Sequence, residues 1–387
     1  MRIAIVHEWL VTYAGSEKVL ECMLSVFPQA DIFCLVDKMP EPTRRWLGDR
    51  KIQTSFLQHL PWVEHHYRNL LPLMPLAVEQ FDVSNYDVVI SNSHAVTKGV
   101  LTGPDQLHIS YCYTPMRYAW DLQHQYLSES DLDAGARSLF ARWMLHKCRV
   151  WDSRTANGVD HFIAVSNYIA RRIRKVYRRD STVIYPGVAV DKFLLGNEKS
   201  DYYVTCSRVV PYKKIHLIVE AFQKMPDRKL VVIGDGPQFG RLKSLAGPNV
   251  QLLGFQPDDV LHKHLQSAKA FIFAAEEDYG IAPIEAQACG TPVLAYGKGG
   301  ACETVVDGVT GFHFNQQSAD SIRAAVERFE SNPTQFTPST IRTHALRFSE
   351  TRFKHEFGRL IETKFEQHQR MLSKGMVDSA RQLEEVS

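Results

Sequence analysis

Short β-branched and aromatic runs alternate with amphipathic stretches along all 387 residues, and this alternation restricts the fold more than any other feature. Strands separated by helices predict parallel sheets with helices on both faces. A chain of this length exceeds what one hydrophobic core usually holds. We therefore predict an α/β protein of two doubly wound parallel-sheet domains. The strand-like runs begin near residues 2, 30, 87, 107, 161 and 181 in the first half, and near 202, 229, 249, 270, 291 and 311 in the second.

Composition restricts the kind of partner. The formal net charge is only +2, which argues against nucleic acid as the main ligand. The seven cysteines have no C-x-x-C spacing and are expected to be reduced core residues of a cytosolic protein. The N-terminal MRIAIVHEW indicates a first strand rather than a signal peptide. No apolar run approaches the ~20 residues that cross a bilayer.

The segment EEDYGIAPIEAQACG, residues 276–290, follows the apolar run AFIFAA. This order predicts a strand, a loop and a helix. The loop carries Glu277 and the helix carries Glu285. The helix N-terminus at Gly280 and Ile281 offers backbone N–H groups to an anion, so an acidic pair beside a phosphate site would suit a nucleotide sugar. Taken alone, the pair fits a solvated helix start better, because acids favour the first turn of any helix.

Two more loops follow predicted strands. SRVVPYKK carries Arg208 and Lys213, cations that could stabilise the charge on a leaving nucleoside diphosphate. From this loop alone, a basic surface facing water is as good an interpretation. In KLVVIGDGP, Gly234 and Gly236 would let the backbone approach a ligand, although such turns are common in parallel sheets. The carboxyl ends of parallel strands share one edge, where α/β folds bind ligands.

Five ordered motifs of the second half, SRVVPYKK, GDGP, VQLLGF, EDYGIAPIEAQACGTPVLAYGKGG and ETVVDGVTGF, resemble those of the retaining family 4 glycosyltransferases of the GT-B fold. YPGVAVDKF is similar to that family's interdomain linker. In the first half, AGSEKVL, SNSHAVTKGV and YCYTPMRYAWD resemble the bacterial subgroup that transfers mannose or related hexoses during surface polysaccharide assembly, including O-antigen.

The resemblance implies two Rossmann-like domains that face a cleft. The first, residues 1–190, would bind the acceptor. The second, residues 191–365, would bind the nucleotide sugar. A helix at about 366–387 would pack back on the first domain.

The resemblance also implies roles for individual residues. Glu277 would contact hydroxyl groups of the donor sugar, and Glu285 would bind the ribose. Arg208 and Lys213 would hold the diphosphate. The other donor-binding positions implied are Gly15, Gly234, Gly236, Gly254, Phe255, Gly280 and Ile281.

One position departs from the family pattern. Relatives commonly have a histidine that contacts the donor sugar two residues before the proline of YCYTP, and this chain has Tyr113 there. Tyrosine can donate and accept a hydrogen bond but does not titrate near neutrality. We keep Tyr113 as a candidate catalytic residue. His94 is an alternative for that role, although a capping or packing role fits His94 at least as well.

The implied reaction moves a hexose, most simply mannose from GDP-mannose, to a lipid-linked saccharide with retention of anomeric configuration. The leaving phosphate would accept the proton of the acceptor, so the resemblance implies no protein nucleophile, no cofactor and no metal. The D-x-D at Asp131–Asp133 indicates a helix cap rather than a metal site. Two alternatives stay open: a UDP-sugar-dependent transferase of the same fold, and an inactive sugar-nucleotide-binding subunit.

The acceptor side is less constrained. Residues 52–81 include Trp62, Tyr67 and three prolines, and they predict either an acceptor pocket or, more simply, a packed substructure. Basic clusters at 142–154 and 171–179 are interleaved with apolar residues and could rest on an anionic bilayer. We therefore expect a cytoplasmic protein with peripheral contact at the inner face of the plasma membrane.

Overall fold

The computed structural model describes residues 1–61, 63–196, 198–332 and 335–386. Trp62 of the predicted acceptor stretch and Ser387 of the predicted C-terminal helix lie outside the described residues. The chain divides into two compact units. The first comprises Met1–Ile184 and the C-terminal segment from Phe353, and the second comprises Tyr185–Arg352.

The first unit is built on a seven-stranded sheet in the order β3-β2-β1-β4-β5-β6-β7, and every pairing is parallel. The central strands β1, β4 and β5 are buried along almost their whole length because both faces of the sheet are covered. Ile5, for example, pairs with Ile32 on one side and Ile90 on the other. The strands are β1 (Ile3–Leu10), β2 (Asp31–Asp37), β3 (Ile52–Thr54), β4 (Val88–Ser93), β5 (Leu107–Cys112), β6 (His161–Ala164) and β7 (Ser181–Val183).

Helices of the first unit connect these strands. They are α1 (Gly15–Val26), α2 (Glu41–Arg44), α3 (Val63–His66), α4 (Met74–Glu79), α5 (Gln123–Glu129), α6 (Gly135–Thr155) and α7 (Asn167–Tyr177), with 3-10 turns at Arg45–Leu47, Phe56–His59, Tyr67–Leu70, Thr97–Gly99 and Ala156–Gly158. In the 52–81 stretch, Leu57, Tyr67 and Met74 are buried in one core cluster. For these residues the packed-substructure interpretation is the correct one.

The second unit holds a six-stranded sheet in the order β10-β9-β8-β11-β12-β13, again parallel throughout. The predicted α/β class with parallel sheets in both halves is thus confirmed. Its strands are β8 (Tyr203–Cys206), β9 (Leu230–Ile233), β10 (Val250–Gly254), β11 (Ala270–Phe273), β12 (Val293–Tyr296) and β13 (Gly311–Phe314). Its helices are α8 (Ile215–Gln223), α9 (Phe239–Leu245), α10 (Asp258–Ser267), α11 (Ile281–Ala288), α12 (Ala301–Thr304), α13 (Ala319–Glu330) and α14 (Pro338–Leu346), with 3-10 turns at Val190–Lys192 and Pro211–Lys213.

The unit boundaries differ from the predicted 1–190 and 191–365 because the linker packs entirely on the second unit. Val188 donates its backbone N–H to Phe348 over 2.9 Å. The Tyr185 ring stacks on Tyr279 at a centroid distance of 5.9 Å. The first unit therefore ends at Ile184, six residues before the predicted boundary.

The C-terminal helix α15 spans Glu350–Val386. Phe353, Phe357 and Ile361 are buried in the main core of the first unit. The contact with this unit thus begins at the first turn of the helix rather than near residue 366. Within the described ranges, no helix is both long and apolar enough to traverse a membrane.

Candidate active site

Two predicted site residues of the second unit form an ion pair at the edge of its sheet. The strands β9, β8 and β11 are neighbours, so the loops at their carboxyl ends lie side by side. Lys213 ends the 3-10 turn after β8, and Glu277 lies in the loop after β11. The Lys213 ammonium binds the Glu277 carboxylate, with side chains 17% and 18% exposed. The structure thus joins residues that are 64 positions apart.

The glycines of the GDGP turn hold the loop that carries Arg208. Gly234 has φ +130°, and a Cβ there would lie 1.9 Å from the Ser207 carbonyl oxygen. Gly236 has φ +156°, and its Cβ would lie 2.6 Å from the oxygen of Val209. These glycines therefore permit contact between two loops of the protein. That they also let the backbone approach a ligand stays a prediction.

Arg208 lies between Ser207 and Val209, the two residues that the glycines contact, and its side chain is exposed. Its guanidinium has no ion pair with any residue of the described ranges. At the end of β10, Gly254 has φ +70° and accepts a hydrogen bond from the Gly234 N–H over 2.7 Å. The next residue, Phe255, is 80% exposed. The edge therefore carries the exposed cation of Arg208 and the exposed aromatic ring of Phe255.

The N-terminus of α11 lies directly after the Glu277 loop. Gly280, the N-cap residue, has φ +88° and no side chain of its own to cap the helix. Because Pro283 at the third position has no N–H, the uncapped backbone donors of the first turn are those of Ile281 and Ala282. Glu285 follows on α11 and is half-buried.

A second glycine turn fixes the backbone of Glu277. Gly300 donates its N–H to the Glu277 carbonyl over 2.8 Å. A Cβ on Gly299 would lie 2.4 Å from that same oxygen, and Gly299 has φ +76°. Sequence reasoning included this turn in a motif but gave it no role. Its contact is visible only in the fold because β12 brings the turn to the end of β11.

In the first unit, Tyr113 and the loop at Gly15 lie together. Tyr113 follows β5, and its hydroxyl donates to the Ser16 carbonyl over 3.3 Å. Burial raises the pKa of Tyr113 well above its usual value, so the phenol is neutral. Its ring packs against those of Tyr111 and His94, at centroid distances of 5.4 and 6.3 Å. Gly15 is the first residue of α1.

A buried polar cluster that the sequence analysis missed lies behind Tyr113. His7 Nε2 is 3.3 Å from Glu17 Oε1, and His7 Nδ1 is 3.0 Å from Asn92 Nδ2. The tautomer with hydrogen on Nε2 satisfies both contacts. Burial raises the pKa of Glu17, but hydrogen bonds from His7, the backbone and Ser16 together bring it below its usual value. The sequence signal for this cluster was the polar residues near the ends of the apolar runs RIAIVHEW and DVVISNS.

The segment after β4 is anchored by a buried ion pair. Lys98 and Asp152 bind each other, with side chains 1% and 0% exposed. Asp152 also accepts hydrogen bonds from Trp120 Nε1 over 2.7 Å and from the Tyr177 hydroxyl over 3.0 Å. These contacts fix the 3-10 turn Thr97–Gly99 against α6 and α7.

The predicted role of Asp131–Asp133 as a helix cap is wrong. Helix α6 begins at Gly135 after Ala134, with no side-chain cap, and Asp131 instead takes φ +53° in the turn after α5. In the described parts of the chain, no three His, Cys, Asp or Glu side chains lie close enough together to hold a metal ion.

The two sheets match solved glycosyltransferases. Sucrose-phosphate synthase from Thermosynechococcus elongatus superposes with a TM-score of 0.71 at 16% identity, covering 94% of this chain and 99% of that chain. Anabaena HepE in complex with UDP gives a TM-score of 0.68 at 17% identity, covering 94% and 100%. The fold is that of the GT-B glycosyltransferases.

Family comparison agrees with the fold. The family model "Glycosyl transferases group 1" matches residues 190–345, and "Glycosyltransferase Family 4" matches residues 29–192. This chain belongs to the family 4 glycosyltransferases. A relative, the GDP-mannose-dependent alpha-(1-6)-phosphatidylinositol monomannoside mannosyltransferase of Mycolicibacterium smegmatis, is 29% identical over 239 residues. That match covers 52% of this chain and 63% of the relative, which is less than two thirds of its length.

Proposed function

We propose that this protein transfers a hexose from a nucleotide sugar with retention of anomeric configuration. The observation that carries the proposal is the Lys213–Glu277 pair beside the uncapped N-terminus of α11. Cations and backbone N–H groups at one sheet edge suit a diphosphate. A carboxylate beside them suits sugar hydroxyl groups, because carboxylates accept strong hydrogen bonds.

Each group of this edge has a role in the proposal. Lys213 and Arg208 bind the diphosphate together with the first amides of α11, and Glu277 accepts hydrogen bonds from the sugar once Lys213 turns toward phosphate. Glu285 binds the ribose. Gly234 and Gly236 keep Arg208 in place through its neighbours, and the exposed ring of Phe255 is available to the base. The first unit binds the acceptor.

The donor we propose is GDP-mannose, and the acceptor is a lipid-linked saccharide of a surface polysaccharide such as O-antigen. The mycobacterial relative, a GDP-mannose-dependent mannosyltransferase named for a phosphatidylinositol acceptor, supports GDP-mannose and a lipid acceptor. A UDP-sugar is the second candidate, because a solved neighbour holds UDP. In either case the leaving phosphate oxygen takes the acceptor proton, so the proposal includes no cofactor and no metal.

The test is transfer of labelled sugar from GDP-, UDP- and ADP-sugars to a bacterial lipid extract in the presence of EDTA. We expect label to enter lipid from GDP-mannose, with Glu277→Ala strongly impaired. Glu276→Ala is a matched control, since Glu276 is the adjacent half-buried acid and pairs with Lys298 instead. Transfer from a UDP-sugar alone would select the second candidate. If the protein neither transfers nor hydrolyses the sugar of any of these nucleotides, it is an inactive subunit.

We also propose peripheral contact with an anionic bilayer through two helices of the first unit. On α6, Leu139, Phe140 and Trp143 are 72%, 64% and 52% exposed, and Lys147 lies 5.7 Å from the Trp143 ring. Aromatic and basic side chains on one exposed helix suit a lipid interface. On α7, a depression of about 430 Å³ is lined by Asn167, Ala170, Arg171, Arg174, Lys175 and Arg178.

Liposome flotation tests this contact. We expect binding to vesicles with about one third anionic lipid, reduced by salt because the basic residues contribute electrostatically. Phe140→Ser/Trp143→Ser should lower the bound fraction. Leu194→Ser, another change of a 70% exposed apolar residue, should not. No flotation of the wild type even at low salt would contradict the contact.

A further inference from the structure

The helix that carries the α7 depression begins at the carboxyl edge of the first sheet. At the end of β6, Ala164 lies opposite Cys112 of β5, and Cys112 directly precedes Tyr113. Helix α7 begins three residues after Ala164 and, because it connects two parallel strands, runs away from this edge. At 1.5 Å per residue its two ends are about 15 Å apart. The depression therefore starts at the edge that carries Tyr113 and leads away from it.

The side chains that line the depression lie on one face of α7, because they recur three and four positions apart. They are Asn167, Ala170, Arg171, Arg174, Lys175 and Arg178. Four of these six are cations, and none is acidic. The opposite face, with Ile169, Ile173 and Tyr177, is buried in the core of the first unit. Because the apolar face is already covered, α7 offers solvent a basic face rather than an apolar face for insertion into a bilayer.

The four cations contribute little to folding. Lys175 and Arg178 form no ion pair with any residue of the described ranges. Arg174 pairs with Asp180, but their side chains are 66% and 88% exposed, and such pairs contribute about 1 kcal/mol or less. Like charges three and four positions apart on a helix repel each other. The helix dipole favours cations in the last turn, but Arg171 lies before that turn. A ligand with more than one negative charge would offset this repulsion.

Neighbouring arginines show the contrast with structural cations. Arg172 lies on the side of α7 and donates to the Asp121 carboxylate over 2.6 Å. Arg179 follows the helix and donates to the Val159 carbonyl over 2.6 Å. These two guanidinium groups hold parts of the first unit together. The four cations of the depression instead point to a role outside the fold.

The backbone of Arg178 supports such a role. Arg178 ends α7 in the left-handed conformation, with φ +57° and ψ +31°. Helices often end in this conformation, but usually with glycine, because a side chain costs about 1 kcal/mol or more there. The chain therefore gives up some stability at this position and gains a guanidinium that lines the depression.

Phosphate is the anion that suits these side chains. The planar guanidinium donates two parallel hydrogen bonds to phosphate oxygens, and lysine binds phosphate as a point charge. The depression has a volume of about 430 Å³, within the range of small-molecule sites. If the sugar end of an acceptor lies at the carboxyl edge of the sheet and its lipid end leaves along α7, the group that joins the two lies against these cations.

We propose that the α7 depression binds a phosphate or diphosphate group that joins the saccharide of the acceptor to its lipid. This inference rests on the proposed function and deepens it by naming the class of acceptor, a lipid-linked saccharide with an anionic linkage. The site lies entirely within the first unit. Its ligand is one acceptor molecule, whereas the bilayer contact involves the head groups of the surrounding membrane.

Binding of farnesyl diphosphate tests the site without any transfer reaction. This probe carries a lipid and a diphosphate but no sugar, and farnesol lacks the diphosphate. Calorimetric titration would be done without vesicles and with saturating GDP, which occupies the proposed donor site. We expect farnesyl diphosphate to bind and farnesol not to bind. Arg171→Ala/Lys175→Ala should raise the Kd about 25-fold, from about fivefold for each exposed cation.

A control variant removes the same charge elsewhere. Arg2→Ala/Lys51→Ala changes two exposed cations that precede β1 and β3, strands that do not adjoin β6. Its Kd for farnesyl diphosphate should stay within about twofold of wild type. Equal binding of farnesol, or an unchanged Kd in Arg171→Ala/Lys175→Ala, would overturn the proposal.

Arg178→Gly separates binding from folding. Glycine adopts the left-handed conformation without strain, so the melting temperature should stay the same or rise. The Kd for farnesyl diphosphate should still rise about fivefold, because one cation is lost. Wild-type affinity in this variant would exclude Arg178 from the site, and a lower melting temperature would show that its side chain serves the fold.

Transfer assays in detergent distinguish the acceptor from the bilayer. With a bacterial lipid extract as acceptor, Arg171→Ala/Lys175→Ala should raise the KM for the acceptor at least tenfold, while kcat and the KM for GDP-mannose stay within about twofold. If this variant loses flotation with anionic vesicles but keeps its affinity for farnesyl diphosphate, the cations serve membrane head groups and the proposal is wrong.

Failure of the proposed function gives a different result. If the wild type transfers no sugar from any donor, that function fails, but binding of farnesyl diphosphate that depends on Arg171 and Lys175 still supports a phosphate site on α7. If the wild type transfers sugar to lipid and does not bind farnesyl diphosphate, the proposed function stands and the phosphate site is refuted.

Discussion

Replacing Lys213 with methionine tests the diphosphate assignment, because methionine keeps the length of the side chain and removes the charge. As the sugar bond breaks, the leaving diphosphate gains about one negative charge, shared among several oxygens. We take about half of this charge to lie about 4 Å from the Lys213 ammonium, at an effective dielectric constant of about 20. Removing the ammonium then costs the transition state about 2 kcal/mol of stabilisation. This corresponds to a fall of about 30-fold in kcat.

The same change should hardly affect stability. Lys213 and Glu277 keep 17% and 18% of their side chains exposed, and such pairs contribute about 1 kcal/mol or less. The melting temperature should therefore move by only about 2 °C. The KM for the uncharged part of the acceptor should stay within about threefold, because no charge forms there before the reaction.

The assay is initial transfer rate at saturating donor with varied acceptor, together with thermal unfolding. Lys224→Met is the control, since Lys224 forms a more exposed pair with Asp320, with side chains 49% and 66% exposed, just beyond the C-terminal end of α8, and its kcat should not change. A kcat for Lys213→Met within about fivefold of wild type would refute the assignment. A large fall in melting temperature would show instead that the pair is structural.

Three further predictions concern stability. Gly234→Ala should lower the free energy of unfolding in urea by at least about 3 kcal/mol, because its Cβ would lie 1.9 Å from the Ser207 oxygen; Gly240→Ala, in α9 with nothing within 4 Å, should be neutral or stabilising. Asp152→Ala should cost about 3–5 kcal/mol because it leaves buried Lys98 unpaired, and Lys98→Met/Asp152→Leu should cost less; an equal or larger loss in the double variant would contradict this reasoning. Burial, with a smaller contribution from Lys98, lowers the pKa of His108 from 6.5 to about 4, although hydrogen bonding to Gly158 and the charge of Asp160 oppose this shift. Between pH 6.5 and about 4, His108 is therefore protonated in the unfolded chain and neutral in the folded chain. Stability from this group is complete above pH 6.5 and falls by about 3 kcal/mol toward pH 4; the urea stability of His108→Gln should depend less steeply on pH over that range, and an unchanged slope would contradict the assignment.

Much of the fold follows from local pattern. All six strand-like runs of each half became strands, because a strand buried on both faces is a short, continuous apolar run that sequence displays directly. The sequence did not predict strand β3, Ile52–Thr54, which has three residues and lies at the edge of the sheet. An edge strand pairs with one neighbour only and needs few apolar residues, so its sequence gives a weak signal. The predicted boundary between the two domains was too late in the chain because Val188 pairs with a residue of the second unit more than 150 positions away, and local sequence does not show such a contact.

The site was predictable only where motif and contact coincide. Lys213 and Glu277 were both selected from sequence, and the fold joins them. The glycines of GDGP were also selected, but their contacts with Ser207 and Val209 were not, because the close approach comes from two adjacent strand ends. The hydrogen bonds between Glu8 and the backbone N–H groups of residues 94–97 were missed since a single acid in an apolar run has no local partner, and these partners lie 86 to 89 residues further along.

The anomeric configuration of the product shows whether the protein is a retaining transferase that uses a nucleotide sugar. GDP-[1-¹³C]mannose would be incubated with the protein, lipid acceptor and EDTA, and the anomeric carbon of the product followed by NMR. We expect an α-linked product, which keeps the configuration of the donor, and we expect it to form with the chelator present. A β-linked product, or transfer abolished by the chelator, would contradict it.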